Sequence, residues 1–574
     1  MKWLINLLSS LFLCFCLFLF FDVSGATEVE EKPFVIIIPS YNNAPYYQKN
    51  LDSVFFQEYD HWRAIYIDDA STDGTGDLVE AYIKEKGFTD KFTVIRNPSR
   101  SLAMANIYHA VHSCNDREII ATLDGDDWFD HPRVLKLLND HYQDPSVWLT
   151  YGSYIDWPEP EKEKYESWIQ KFGGFKNRLI PQEVIANNDF RFFIGCTGQL
   201  RTFYGWLFKK IKLEDLMYQG HFLPVAYDIG IMIPMHEMAA GRFKYIPEII
   251  YIHNVNTPLN DYKVNTQLQS RVEAFIRHKE KYQPLSDLYP KCFDKFKLAK
   301  ADLVIFSFDR PLQLYALLES IELYVKGIHS ISIIYRTSND RYERAYQDVQ
   351  TTFSDARFLK QQDISDFKTL TLKAINSTPM EHILFAVDDN LVKDDVNLSE
   401  CIEWLERTQA YGFYLKLGSH LNYCYTMDRP QKVPANIQIK ENIRAWQFEF
   451  SEADWNYPNT VDMTLYRKKD LFSLFGSFNY TNPNWLEWRW ASWWVNHKSP
   501  TSVGLFYENS KILNVPLNRV QTDILNRTMN LYSQEELLEK FEQGLKVDIQ
   551  PLYQIKNQAV HVEYEPTFIS REKK

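Results

Sequence analysis

Cysteine is scarce, with seven in 574 residues and none in a C-x-x-C spacing. That excludes a thiolate zinc site and a disulfide-stapled scaffold. Basic residues are outnumbered, 63 against 75 acidic ones, for a net charge of −12. Without a basic face to displace counterions, the chain is not expected to bind nucleic acid. Long apolar runs are missing but for one near the N-terminus, so a polytopic membrane protein is excluded. What is present is a 45% hydrophobic and 15% aromatic composition, too apolar for a disordered chain. The length points to more than one compact unit, because a single core stops growing at roughly 250–300 residues.

The one long apolar run, Leu4 to Phe21, follows Lys2 and precedes Asp22, Glu28, Glu30 and Glu31. Such asymmetry places the N-terminus in the cytoplasm and the body of the protein across the membrane. Ser24-Gly25-Ala26 offers small residues for cleavage, and the run is also long enough for a short anchor. Residues 1–26 therefore read as a signal peptide or a membrane anchor. The protein is expected to be membrane-associated or exported, with its body on the lumenal or extracytoplasmic side.

Further along, strand-like runs alternate with helical periodicity. Phe34 to Ile38 turns at Pro39-Ser40-Tyr41-Asn42, and Trp62 to Ile67 ends in Asp68-Asp69. Phe92 to Arg96 precedes a helix over Leu102 to His112, and Glu118 to Leu123 ends in Asp124-Gly125-Asp126-Asp127. Strand alternating with helix predicts a parallel, doubly wound α/β sheet, whose ligands sit at the carboxyl ends of strands. A second passage repeats the pattern. Leu303 to Ser307 turns at Phe308-Asp309-Arg310-Pro311, a helix follows near Leu314 to Ile321, and Ile383 to Val387 ends in Asp388-Asp389. The expected organisation is two tandem Rossmann-like domains, 34–264 and 299–560. A helical linker, 265–298, joins them, and a polar tail, 561–574, follows.

Asp124, Asp126 and Asp127 repel one another unless a cation neutralises them, and hard oxygen ligands suit Mg²⁺ or Mn²⁺. A solvated acidic turn is the other reading. Asp69 to Glu80 nearly spells a calcium loop, but the strand-like Trp62 to Ile67 stands where an EF-hand has a helix. Gly74 and Gly76 lack the third glycine of a dinucleotide fingerprint.

Taken in order, Phe34-Val-Ile-Ile-Ile-Pro-Ser-Tyr-Asn42, Ile67-Asp-Asp-Ala-Ser-Thr-Asp-Gly-Thr75 and Leu123-Asp-Gly-Asp-Asp127 resemble the signatures of family 2 glycosyltransferases with the GT-A fold. The resemblance covers about residues 34 to 255. It implies inverting transfer of a sugar from a nucleotide-diphosphate donor to a glycan or glycoconjugate acceptor, with a divalent cation. It places Pro39, Tyr41, Asp68, Asp69, Arg100, Asn106 and Asp124 at the nucleotide sugar, and Asp124, Asp126 and His253 at the metal. Asp228 becomes the general base, although Tyr227 stands where the family carries glutamate. Likewise Ala105 occupies the place of the family's usual arginine.

The second half resembles a nucleotide-sugar transferase of GT-A type more loosely, through Asp309, Arg310, Asp388, Asp389, Asn518 and Gln521. Asp388 and Asp389 offer a second metal site, and Asn484-Trp485-Leu486-Glu487, ahead of a helix, offers Glu487 as a catalytic acid. A domain that kept the fold and lost activity is the alternative. Trp485, Trp488, Trp490, Trp493 and Trp494 crowd one stretch, and Tyr151, Tyr154, Trp157, Tyr165 and Trp168 another. These rings either stack on sugars or fill a core. Two other functions compete with transfer. A nucleotidyltransferase needs a glycine-rich basic loop after the first strand, which Pro39 to Asn43 does not supply. A non-catalytic carbohydrate-binding protein on a degenerate GT-A scaffold is the remaining alternative.

Overall fold

A computed structural model describes residues 30–158, 178–193, 195, 197–258, 265–286, 293–497, 502–520, 527–529 and 531–571. The N-terminal apolar segment, Tyr165, Trp168 and Gln521 lie outside the described residues. Among the described residues no helix is long and apolar enough to cross a membrane.

The N-terminal half is built on eight strands: β1 (Phe34–Ser40), β2 (Trp62–Asp68), β3 (Phe92–Arg96), β4 (Ile119–Thr122), β5 (Trp128–Phe129), β6 (Leu149–Trp157), β7 (Arg201–Tyr204) and β8 (Phe243–Asn254). Their spatial order is β3-β2-β1-β4-β7-β6-β8-β5. The first four pair in parallel, β7 runs antiparallel to both β4 and β6, and β8 lies parallel to β6. Every residue of β1 is buried, with Val35 and Ile37 in one apolar layer and Phe34, Ile36 and Ile38 in the other. Alternating Cβ directions produce that split, and helices on both faces of the sheet make the whole run apolar. Four helices matter to the site and its support: α1 (Tyr47–Phe55), α2 (Thr75–Lys86), α3 (Leu102–Ser113) and α4 (Tyr227–Ala239).

The second sheet contains β9 (Ala301–Phe308), β10 (Ile328–Arg336), β11 (Arg357–Lys360), β12 (His382–Val387), β13 (Gly412–Tyr414), β14 (Asn436–Lys440), β15 (Ile443–Gln447), β16 (Thr464–Arg467) and β17 (Val503–Tyr507). Its order is β11-β10-β9-β12-β16-β13-β17-β15-β14. Strand for strand, β11-β10-β9-β12-β16-β13-β17 repeats β3-β2-β1-β4-β7-β6-β8 in position and direction. The chain therefore carries two mixed α/β sheets of one topology. Val35 and Ile37 of β1 belong to the same continuous apolar cluster as Leu303 and Ile305 of β9, so the two halves share a core layer. Ser502 N–H donates to Glu214 Oε2 (2.8 Å) and Gly220 N–H to Gln447 Oε1 (2.7 Å) across the join.

Three elements differ from expectation. In the expected helical linker, 265–298, the α-helix ends at Arg277, as α5 (Thr266–Arg277). Part of the expected linker, Phe293–Leu298, winds into a 3₁₀ turn. In the expected polar tail, Phe568–Ser570 pairs antiparallel with Leu545–Val547. A short edge strand needs only a few alternating apolar residues, and the surrounding charges concealed Phe568 and Ile569.

Candidate active site

The loops leaving β1, β2 and β4 lie side by side. Gly125 N–H donates to the Pro39 carbonyl and Asp127 N–H to the Asp124 carbonyl, both at 3.0 Å. Buried Asn50 on α1 gives its amide to the carbonyls of Asp124 (3.0 Å) and Asp127 (2.8 Å). The acidic turn is thus fixed from two sides. A Cβ at position 125 would stand 2.6 Å from Ser40, so the approach of this turn to β1 requires glycine.

Asp68 and Asp69 are both buried. Asp69 organises the neighbouring loop, accepting from Asn97 Nδ2 (2.7 Å), Ser101 N–H (2.8 Å) and Leu102 N–H (2.8 Å). Asp68 accepts from Ser71 N–H (3.2 Å) and lies 3.8 Å from Arg96 Nε. The Arg100 guanidinium rests over the Tyr41 ring, 3.9 Å from its centre. Asn106 Oδ1 accepts from Asn97 (2.8 Å), while its buried Nδ2 has no partner. The near-calcium loop serves as a brace, in which Asp73 accepts from Thr75 N–H (3.0 Å) at the start of α2 and from Ala44 N–H (3.0 Å).

Of the acidic turn, Asp127 points inward. Its carboxylate accepts from the Tyr251 hydroxyl (2.6 Å) and Asn254 N–H (2.7 Å), and burial, reinforced by Asp126, pushes its carboxyl well above the usual range. Asp127 therefore anchors the turn to β8. Asp124 accepts from the Tyr227 hydroxyl (2.6 Å) at Oδ1 and from Gln199 only distantly (3.5 Å) at Oδ2. Asp126, half-buried, lies beside it on the same turn. These two hard carboxylates fit a Mg²⁺ or Mn²⁺ ion that takes its remaining ligands from phosphate oxygens and water. His253, expected as a further ligand, instead meets Asp156 Oδ1 through Nδ1 at 3.0 Å. Among the described residues no three His, Cys, Asp or Glu side chains are grouped closely enough to form a complete site.

Asp228 is the second residue of α4, whose N-terminus follows Ala226 in a left-handed conformation (φ 55°). Its carboxylate lies 3.8 Å from Arg201 Nη2 on β7. Arg201 Nη1 also reaches the Tyr227 hydroxyl (3.4 Å), which itself bonds Asp124. Burial opposes the charge on Arg201, but Tyr227, Asp228 and Asp124 outweigh it and hold the guanidinium firmly protonated. Asp124 and Asp228 are thereby linked through Tyr227 and Arg201. Neither Arg201 nor Tyr251 carried a motif; the tyrosine beside Asp228 was the only hint. Tyr151 is fully buried and is core rather than an acceptor platform.

In the second half, Arg310 pairs with Asp388 Oδ1 (2.9 Å) and Asp389 Oδ2 (3.5 Å), and its Nε donates to Asn518 Oδ1 (3.1 Å). Asp388 Oδ2 accepts from Ser307 (2.8 Å) and Phe308 N–H (3.2 Å). The expected second metal position is filled by a guanidinium. Asp309 is placed apart from this pair and accepts from Ser338 N–H (2.9 Å). Glu487 does not precede a helix; it is the fifth residue of α6 (Pro483–His497).

Residues 35–201 match the family model described as glycosyl transferase family 2. The bifunctional glycosyltransferase pgtA of Dictyostelium discoideum is 28% identical over 284 residues, 42% of this chain and 36% of that protein. The putative teichuronic acid biosynthesis glycosyltransferase TuaG of Bacillus subtilis (strain 168) is 34% identical over 108 residues, 19% of this chain and 41% of that protein. The chain thus spans well under half the length of these relatives. The mannosyltransferase PcManGT of Pyrobaculum calidifontis, solved with GDP-Man and Mn²⁺, is 18% identical with a TM-score of 0.27, covering 41% of this chain and 59% of that one. The N-terminal half is thus similar to glycosyl transferase family 2 over residues 35–201.

Proposed function

We propose that this domain moves a sugar from a nucleotide-diphosphate donor to a hydroxyl of a glycan or glycoconjugate, with inversion and with a divalent cation. One observation carries the reading: Arg201, the last residue of the family 2 match, contacts Asp228 at the start of α4 and, through the Tyr227 hydroxyl, reaches Asp124, which shares its turn after β4 with Asp126. The cation, held by Asp124 and Asp126, would offset charge on the departing diphosphate. Asp228 takes the proton of the acceptor hydroxyl as that oxygen attacks the anomeric carbon. Arg201 positions Asp228, and Tyr227 orients Asp124.

Asp126→Asn should abolish metal-dependent donor binding by the full chain; binding that is unchanged would remove the metal assignment. The N-terminal segment would take the domain to a membrane or across it. Sequencing the mature N-terminus tests that placement: a start after Ala26 identifies a cleaved signal, and an intact Met1 on a carbonate-soluble protein contradicts both forms of it.

A further inference from the structure

A cavity of about 930 Å³ opens in the C-terminal half at the carboxyl ends of β9, β10 and β12, lined by Phe308, Arg336, Asp388 and Asp389 among others. By strand order this is the position that the acidic turn and its neighbouring loops occupy in the N-terminal half. Its volume suits a nucleotide-sized ligand. Arg310, Lys416 and Arg519 contribute positive charge to its wall. Trp485 and Trp488, 36% and 49% exposed, line it too, whereas Trp490 on the same helix is fully buried. The helix thus divides its tryptophans between core and cavity. Asn518, 4% exposed, holds an amide Nδ2 without a partner, and Asp389 Oδ1 is likewise shielded and unpaired. Buried polar atoms of this kind await a ligand.

Glu487 lies on α6, which leads into β17, as α4 with Asp228 leads into β8. Its Oε1 accepts from Val461 N–H (2.6 Å) and its Oε2 weakly from the Tyr457 hydroxyl (3.4 Å). Lys416 and Asp462 face it, with Lys416 Nζ bonded to Thr460 (2.9 Å) and 3.4 Å from Asp462 Oδ2. Burial and the neighbouring Asp462 raise the Glu487 carboxyl to about 7, a value suited to proton transfer near neutrality.

We propose that the C-terminal half holds a second glycosyl-transfer site, which takes a nucleoside-diphosphate sugar without a divalent cation, with Arg310 as its fixed positive charge and Glu487 as proton acceptor. The hydroxyl oxygen of an acceptor bonds to the anomeric carbon as the bond from that carbon to the diphosphate breaks. The diphosphate leaves with the electron pair, and the hydroxyl proton passes to Glu487. Arg310 lies against both Asp388 (2.9 Å) and Asp389 (3.5 Å), offsets one of their two charges and stands where a cation shared by the pair would sit. The site is separate from the N-terminal one, and either can fail alone.

The test uses the full chain carrying Asp126→Asn, in EDTA, titrated with ADP, GDP, CDP, UDP and dTDP. One of these should bind, and Arg519→Ala and Trp488→Ala, both at exposed positions, should each weaken it at least about tenfold. With the matching sugar nucleotide, Glu487→Gln should slow release of the diphosphate by about 10²-fold or more, yet keep its binding within about threefold. Absence of binding by all five, binding indifferent to both wall variants, or unchanged release in Glu487→Gln would overturn the proposal. None of these outcomes bears on metal-dependent binding by the unmodified chain, which tests the N-terminal reading.

Discussion

Asp228→Asn separates chemistry from binding in the N-terminal domain. The change removes one charge and preserves the side-chain shape. Asp228 is 28% exposed and its contact with Arg201 is long, at 3.8 Å, so the fold should lose no more than about 1 kcal/mol. Arg201 keeps its contact with Tyr227, and through that hydroxyl the link to Asp124 survives. A positioned general base contributes about 10²–10⁴ in rate, or about 3–5 kcal/mol of barrier. Single-turnover transfer with saturating donor and Mn²⁺ should fall by that factor. Nucleotide affinity should hold or strengthen, because Arg201 loses a competing carboxylate. A fall of less than about tenfold, or a fall matched by an equal loss of affinity, would refute Asp228 as the base.

Other substitutions probe the supports. Gly125→Ala drives a methyl into Ser40, 2.6 Å from its atoms; thermal melting should show about 1–3 kcal/mol lost, with donor affinity reduced. Arg191 and Glu237 form a buried two-bond pair at 2.8 and 2.9 Å, so Arg191→Met should cost about 3–5 kcal/mol, read from denaturant midpoints; a loss under about 1 kcal/mol would contradict the burial of the pair. Diphosphate release by the C-terminal site should rise with pH through about 7, because Glu487 must be ionised to accept a proton and burial and Asp462 hold its carboxyl there. In Asp462→Asn the inflection should move to lower pH, since a charge that opposes ionisation is gone; an inflection that stays in place would disconnect Glu487 from the profile.

Much of this was legible in residue order. The run Phe34 to Ile38 is apolar throughout because both faces of its sheet are covered, and the acidic endings of β2, β4 and β12 follow from strands that run out at one edge. The second sheet was readable for the same reason. Contacts between distant segments were not. Arg201 lies in a stretch without any motif, yet it bridges Asp228 to the hydroxyl that holds Asp124. Asp388-Asp389 resembled a metal pair, and only the folded chain brings Arg310 onto it from the end of another strand. Helical spacing grouped five tryptophans without distinguishing buried Trp490 from Trp485 and Trp488, because that choice depends on what packs beneath α6. Lys416, Asp462 and His561 gave no local signal at all, and His561 reaches the cavity from the stretch expected to be a polar tail.

The most direct test of the donor site is a calorimetric titration of the full chain with the same five nucleoside diphosphates, first with Mn²⁺ and then with EDTA. A binding event present with Mn²⁺, absent in EDTA and absent in Asp126→Asn is the predicted result. Identical isotherms with and without the metal, or an Asp126→Asn chain that binds as the unmodified one does, would contradict a donor site built on Asp124 and Asp126.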